Sequence, residues 1–359
     1  MTPWILLSLL GAVQAPAVPD LSRLAPARVT VDRSGREIVI ELAPVHHLPA
    51  GTSHGGGTGH HHAPEPPVSL AVLPLGGAIY GFRIELLDGT GQVLPASLIH
   101  HVNLIHPDTR ELFLPISRRV LAAGSETGAQ RLPWLLFGVP IEKGERLIVS
   151  AALHNPTGRD FSQVRVRVVL QYTPSRRPWP VFRGYAFQLD VAFPVGDKSF
   201  DLPPGHSVRS YEGSPAVRGK IVAIGGHMHD HGVSIQLADA ATGKVLWRAT
   251  PTVDSTGHLV AIPVGRMYGL TRLGIPVTPD RRYRVTVEYE NPTGGVLAGG
   301  GMGVVGGLFV PDGDVVWPSV DLGQDLYWKD LLHATRGAAL VVSQTAAPAH
   351  TGHAGHADH

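Results

Sequence analysis

Gly138-Val-Pro-Ile-Glu-Lys-Gly-Glu-Arg-Leu-Ile-Val-Ser-Ala-Ala-Leu-His-Asn-Pro-Thr-Gly158 aligns without a gap to Gly274-Ile-Pro-Val-Thr-Pro-Asp-Arg-Arg-Tyr-Arg-Val-Thr-Val-Glu-Tyr-Glu-Asn-Pro-Thr-Gly294. Eight of the 21 positions are identical, including the whole Asn-Pro-Thr-Gly turn. A common turn explains four of these; the flanking Gly, Pro, Arg and Val point to a duplicated unit. Each copy reads as a strand running into a tight turn. Two like β-domains in tandem, over 28–173 and 181–340, are the simplest organisation. The stretch Pro174-Ser-Arg-Arg-Pro-Trp-Pro180 serves as the joint between them.

The rest of the chain agrees with this reading. Residues 28–45 read as strand, turn and strand. Further strands are predicted over 80–87, 97–105, 146–153, 164–172, 184–193, 219–224, 233–237, 283–289 and 302–310. Helical periodicity is confined to 324–335. Gly (43) and Pro (31) are abundant, which favours many short strands separated by turns. The expected fold is therefore all-β, with two tandem jelly-roll-like antiparallel β-sandwich domains.

Composition excludes several functions. Lys and Arg (30) nearly cancel Asp and Glu (29), so nothing suggests a nucleic-acid partner. There is no Cys, which removes disulfides, thiolate metal sites, cysteine-ligated Fe–S clusters and cysteine catalysis. The apolar stretch from Trp4 to Val13 is shorter than the ~20 residues a bilayer span needs. It leads into Ala15-Pro16-Ala17, an A-x-A cleavage pattern. Residues 1–17 are expected to be a signal peptide, and the mature protein to be secreted or periplasmic with no stable membrane insertion.

His is the anomaly, at 20 copies. Several lie in a low-complexity His/Gly loop over 46–67 and in a tail over 345–359, compositions suited to scavenging metal. The others form sparse motifs. His227-Met228-His229 follows an apolar strand; residues i and i+2 share a face, so both imidazoles can address one metal. His231 would continue that face. His100-His101 reach one metal only at a strand end or a bulge, or by using different ring nitrogens. His154 precedes the first Asn-Pro-Thr-Gly turn, where the second copy has Glu290, so the fold does not demand a histidine there. His106 is a competing candidate, but His106-Pro107-Asp108 reads as a loop. Met302, in Gly299-Gly-Gly-Met-Gly303, lacks the bulky neighbours of a core Met. A thioether is a soft ligand that selects Cu(I) over zinc. The plain alternatives are a surface histidine cluster and a packing Met.

The order His-His, His, His-x-His, Met over two β-domains resembles the copper type II, ascorbate-dependent monooxygenases, such as peptidylglycine α-hydroxylating monooxygenase and dopamine β-monooxygenase. The resemblance implies two coppers, one on His100, His101 and His154 and one on His227, His229 and Met302, facing each other across an open cleft. It implies electron entry at the first and hydroxylation of a small substrate with O2 at the second, with ascorbate or another reductant. The peptide hydroxylase grips its substrate carboxylate with an Arg two before the His-x-His and a Tyr four after the Met. Gly225 and Gly306 stand there, so a glycine-extended peptide is not the expected substrate. A non-enzymatic copper-binding or copper-buffering protein is the alternative. A metal hydrolase, suggested by His-Met-His-Asp-His, would need βα units that this sequence lacks.

Overall fold

The computed structural model describes residues 20–51, 67–175, 179–192, 198–255, 257–313 and 315–335. The expected signal peptide, most of the 46–67 loop and the His-rich tail lie outside them. The chain is all-β: two tandem jelly-roll-like antiparallel β-sandwiches. The framework of the first is β1 (Glu37–Glu41), β2 (Val68–Val72), β3 (Gly77–Leu87), β4 (Ile99–Arg110), β5 (Ser117–Gly124), β6 (Phe137–Ile141), β7 (Arg146–Leu153) and β8 (Phe161–Pro174). That of the second is β9 (Tyr185–Asp190), β10 (Gly205–Gly213), β11 (Gly219–Met228), β12 (Gly232–Asp239), β13 (Val245–Ala249), β14 (Ile275–Val277), β15 (Tyr283–Asn291) and β16 (Gly303–Pro311).

The duplication extends to the topology. In the first domain one sheet runs β2–β7–β4–β5 and the other β6–β3–β8–β1. In the second they run β10–β15–β12–β13 and β14–β11–β16–β9. Each strand has its counterpart in the same chain order. The aligned segments are β6–β7 and β14–β15, and in each copy the chain crosses from one sheet to the other. The two turns are also built alike. Asn155 and Asn291 are 0% and 2% exposed. The Asn155 amide donates to the Leu48 and Arg159 carbonyls, and its oxygen accepts from the amide and hydroxyl of Thr157. Asn291 donates to Leu202, Pro203 and Gly295 and accepts from Thr293 in the same way. Each Asn is a buried polar hub that closes the turn onto a neighbouring segment.

The two sandwiches exchange core residues. Leu112, Phe113, Leu114 and Ile116, on the β4–β5 connection of the first domain, pack in the core of the second. Val222, Leu308 and Val310, on the outer face of β11 and β16, pack in the core of the first. The fully buried Glu111 carboxylate accepts the backbone N–H groups of Leu112, Arg119 and Gln188, holding the inserted segment against β9.

Several expectations need correction. His106 lies within β4, not in a loop. The strand runs on past Pro107, which cannot donate to the ladder, through a register shift between His106 and Arg110. The helix forms over Asp325–Thr335 as expected, but it packs on the first domain although the second carries it. Asp330 makes a buried ion pair with Arg119, and Tyr327 and Leu331 pack with Ile105 and Ile148. Strands β2, β5, β6, β10, β13 and β14 were not anticipated. Arg118-Arg119 breaks the apolar alternation of β5, and β10 is largely exposed, so its side chains carry little inward pattern.

The equivalence of the turns has a measurable consequence. Asn155→Asp and Asn291→Asp each turn a carboxylate oxygen toward backbone carbonyls that now receive N–H groups. Each should lower the unfolding free energy by about 2 kcal/mol or more, by similar amounts in urea titrations.

Candidate metal centre

The three motifs from the two domains meet at one end of the molecule. His100 and His101 open β4. In the β4–β7 ladder Ala152 pairs with His101 and Leu153 with Ile99, so His100 is the extra residue of a bulge. That bulge lets two adjacent side chains approach the same side. Their ring centroids are 4.8 Å apart. His154 follows β7 directly, with its ring centroid 5.8 Å from that of His100. Its Nε2 lies 2.6 Å from the Ser97 carbonyl oxygen, and burial holds its pKa below the ordinary value.

On the second domain, Met228 points into the core at 2% exposed, so His227 and His229 on either side of it share the opposite face. Their ring centroids are 5.5 Å apart. The ring of His229 is hydrogen-bonded to the Gly299 backbone, and its Nε2 is buried with no hydrogen-bond partner among the described residues. Burial, then the neighbouring His227, pushes the His229 pKa down to about 4. The imidazole is therefore neutral at neutral pH, the form that binds metals. His227 Nδ1 lies 2.7 Å from Oε1 of Glu126, a first-domain residue.

Met302 sits next to His229. The β11–β16 ladder pairs His227 with Val304 and Met228 with Gly303; continued by one residue, it sets His229 opposite Met302. The Tyr289 hydroxyl closes this end. It accepts from the backbone N–H of His229 at 3.0 Å and of Met302 at 3.1 Å, and donates to the Met302 carbonyl. His231 does not continue the ligand face. Its φ of 69° turns the chain out of the strand, and its carbonyl accepts from Glu290.

The two sets are not held apart across a cleft, as the resemblance implies. The rings of His100 and His229, from different domains, are 5.6 Å apart. Five imidazoles thus form a continuous cluster with His100 at its hub. The core exchange accounts for this, since it draws the end of β11 over the start of β4. Two imidazoles on one metal, with metal–nitrogen bonds of ~2 Å like those of zinc, place their ring centroids about 4.5–6 Å apart. All four centroid separations fall in that range. Among the described residues, however, no three His, Asp or Glu side chains are already grouped as a metal would require. The feature that fits a metal is the orphaned, neutral Nε2 of His229. A buried acceptor without a partner is costly, and its other nitrogen is tied to the backbone in the manner of a metal-binding histidine.

Two residues of the site belong to none of the motifs read from the sequence. Glu126 lies in the polar loop Ser125-Glu-Thr-Gly128. Tyr289 aligns with Leu153 in the repeat, and only that departure from the first copy marks it.

No protein-family model matches the chain, and no curated protein matches it. Among solved structures it is similar to PNGF-II, at 8% identity and a TM-score of 0.34, over 78% of this chain and 66% of that one. It is similar to peptide-N(4)-(N-acetyl-β-D-glucosaminyl) asparagine amidase at 8% identity and a TM-score of 0.37, over 77% and 98% of the two chains. It is similar to mavirus major capsid protein at 10% identity and a TM-score of 0.25, over 86% and 93%. Likeness at these scores says nothing of activity.

Tyr289→Phe removes one hydroxyl and leaves the packing of the ring. It strands two backbone N–H groups and a carbonyl. Thermal and urea unfolding should show a loss of about 1–3 kcal/mol, and metal uptake at the second-domain set should weaken. Wild-type values for both would make the hydroxyl dispensable to the site.

Proposed function

We propose that this chain is a copper-dependent monooxygenase that hydroxylates a small molecule with O2 and a reductant such as ascorbate. The observation that carries the reading is the neutral His229 imidazole, whose Nε2 is buried without a partner beside His227, His100 and the backbone of Met302. His100, His101 and His154 would hold one copper, and His227, His229 and Met302 the other. Bound copper supplies one-electron chemistry with O2 as the oxidant. The balance is one oxygen atom inserted into a substrate C–H bond and one released as water, with two electrons and two protons from the reductant.

The chain's own residues support each part. Burial holds the His154 pKa below its ordinary value, and it keeps His229 unprotonated at neutral pH, with the lone pair of its unpartnered Nε2 available. The Met302 thioether is a soft donor that favours the reduced ion. The absence of Cys leaves no thiolate to compete. No helix among the described residues is long and apolar enough to cross a membrane. A secreted or periplasmic location belongs to the same proposal.

Gly225 and Gly306 are direct partners in the β11–β16 ladder, one step from His227 and Val304 on the same face. A Cβ built on Gly225 meets only Val264 within 4 Å, and one on Gly306 only the Phe187 carbonyl. This surface offers no cationic side chain from either position, which favours an uncharged substrate over a carboxylate.

Two experiments test the reading. Purified protein loaded with copper should consume O2 with ascorbate and a panel of small neutral substrates. Met302→Ala should retain copper on the two imidazoles yet lose most of that turnover. Full activity in Met302→Ala would make Met302 a packing residue. Copper uptake without O2 consumption in the wild type would leave a copper-binding protein. In the same assay, peptides ending in Gly should be turned over no faster than unrelated small molecules. Efficient hydroxylation of such peptides would mean that the substrate lies elsewhere than beside Gly225 and Gly306.

A further inference from the structure

We propose that Glu126, a first-domain residue, is a positioning residue for the second-domain metal ligand His227. This rests on the copper reading of that ligand set. Glu126 follows β5 in the tight loop that leads away from the sheet. Its Oε1 is 2.7 Å from His227 Nδ1, and its side chain is 8% exposed. The loop holds the carboxylate in place. The Thr127 hydroxyl accepts from the Gly124 N–H at 3.1 Å and lies 3.3 Å from the same Oε1. The carboxylate lies flat over Gly124, where any Cβ would collide with it. Gly124 is in turn the ladder partner of His101.

Glu126 therefore stands between the two histidine sets, folded over the strand neighbour of His101 and bonded to His227. The chemistry of that contact is specific. A carboxylate on Nδ1 fixes the Nδ1–H tautomer and the ring angle, and directs the Nε2 lone pair away from the contact. It also makes that nitrogen a stronger donor to a metal. The second-domain site is thus completed by a group from the first domain. Its metal affinity depends on the two sandwiches being docked, which links the sites without a shared ligand.

The test uses the full chain and Cu(II) alone, by calorimetric titration and EPR. The binding event that belongs to the second-domain set is the one removed by His229→Ala. Glu126→Gln should weaken that event by about 10–100-fold and change its EPR hyperfine pattern. The event removed by His101→Ala should stay within about twofold of wild type. Glu126→Asp keeps the charge but withdraws it from the ring, and should weaken the same event; it carries the test if the Gln variant does not fold. Wild-type affinity in a folded Glu126→Gln protein would overturn the proposal. So would equal weakening of both events, which would mark Glu126 as a general domain contact. Failure of the wild type to bind Cu(II) at all would overturn the copper reading itself, a separate outcome.

Discussion

The mutual insertion of the two β-sandwiches is the constraint on which the rest depends. Each domain completes the other's core: Leu112, Phe113, Leu114 and Ile116 go one way, and Val222, Leu308 and Val310 the other. Each large apolar side chain so buried contributes about 1.5–3 kcal/mol. The exchange is two-way, so the sandwiches cannot slide or swing without exposing apolar surface on both sides. The fully buried Glu111, bonded to N–H groups of both domains, fixes the register of this joint. Its burial pushes the carboxyl pKa upward, and the three N–H groups act against that shift.

The site follows from the joint. Val222 sits in the first-domain core, and five residues further along the same strand is His227. Burying one end of β11 therefore carries the other end to the start of β4, where the bulge at His100 turns two imidazoles toward it. The close approach of His100 and His229 thus needs no direct bond between them. Desolvation in this crowded corner keeps His229 neutral, and Tyr289 ties its backbone to that of Met302. A neutral imidazole with a buried, unpartnered nitrogen, as at His229, presents a lone pair suited to a cation.

Much of this was legible in the sequence because β-structure writes its period into side-chain polarity. The alternation over 146–153 and 283–289 and the repeated Asn-Pro-Thr-Gly gave the strands, the turns and the duplication. The turn was readable because only Asn, with both donor and acceptor atoms, satisfies the carbonyls and N–H groups it meets there. The His-x-His face was readable from the two-residue period, and the His100-His101 pair carried its own conditions, a strand end, a bulge or different ring nitrogens, of which the structure shows a bulge. What was hidden depends on packing across long separations. Glu126 reaches His227 over 101 positions, and no local pattern records such a contact. The docking of the Asp325–Thr335 helix on the first domain rests on the ion pair of Arg119 with Asp330, 211 positions apart, and on Tyr327 and Leu331 packing with Ile105 and Ile148. The closeness of the two histidine sets was hidden for the same reason. It is set by Val222, Leu308 and Val310, which look like ordinary strand residues of their own domain.

The central claim is that two metal sites are built from these six side chains. Anomalous diffraction from crystals grown with Cu(II), collected on both sides of the copper edge, tests it most directly. One peak is expected among His100, His101 and His154, and a second beside His227 and His229 with the Met302 sulfur turned toward it, at copper–nitrogen distances of ~2 Å, like those of zinc. Copper found only on other histidines, with neither set occupied, would contradict it.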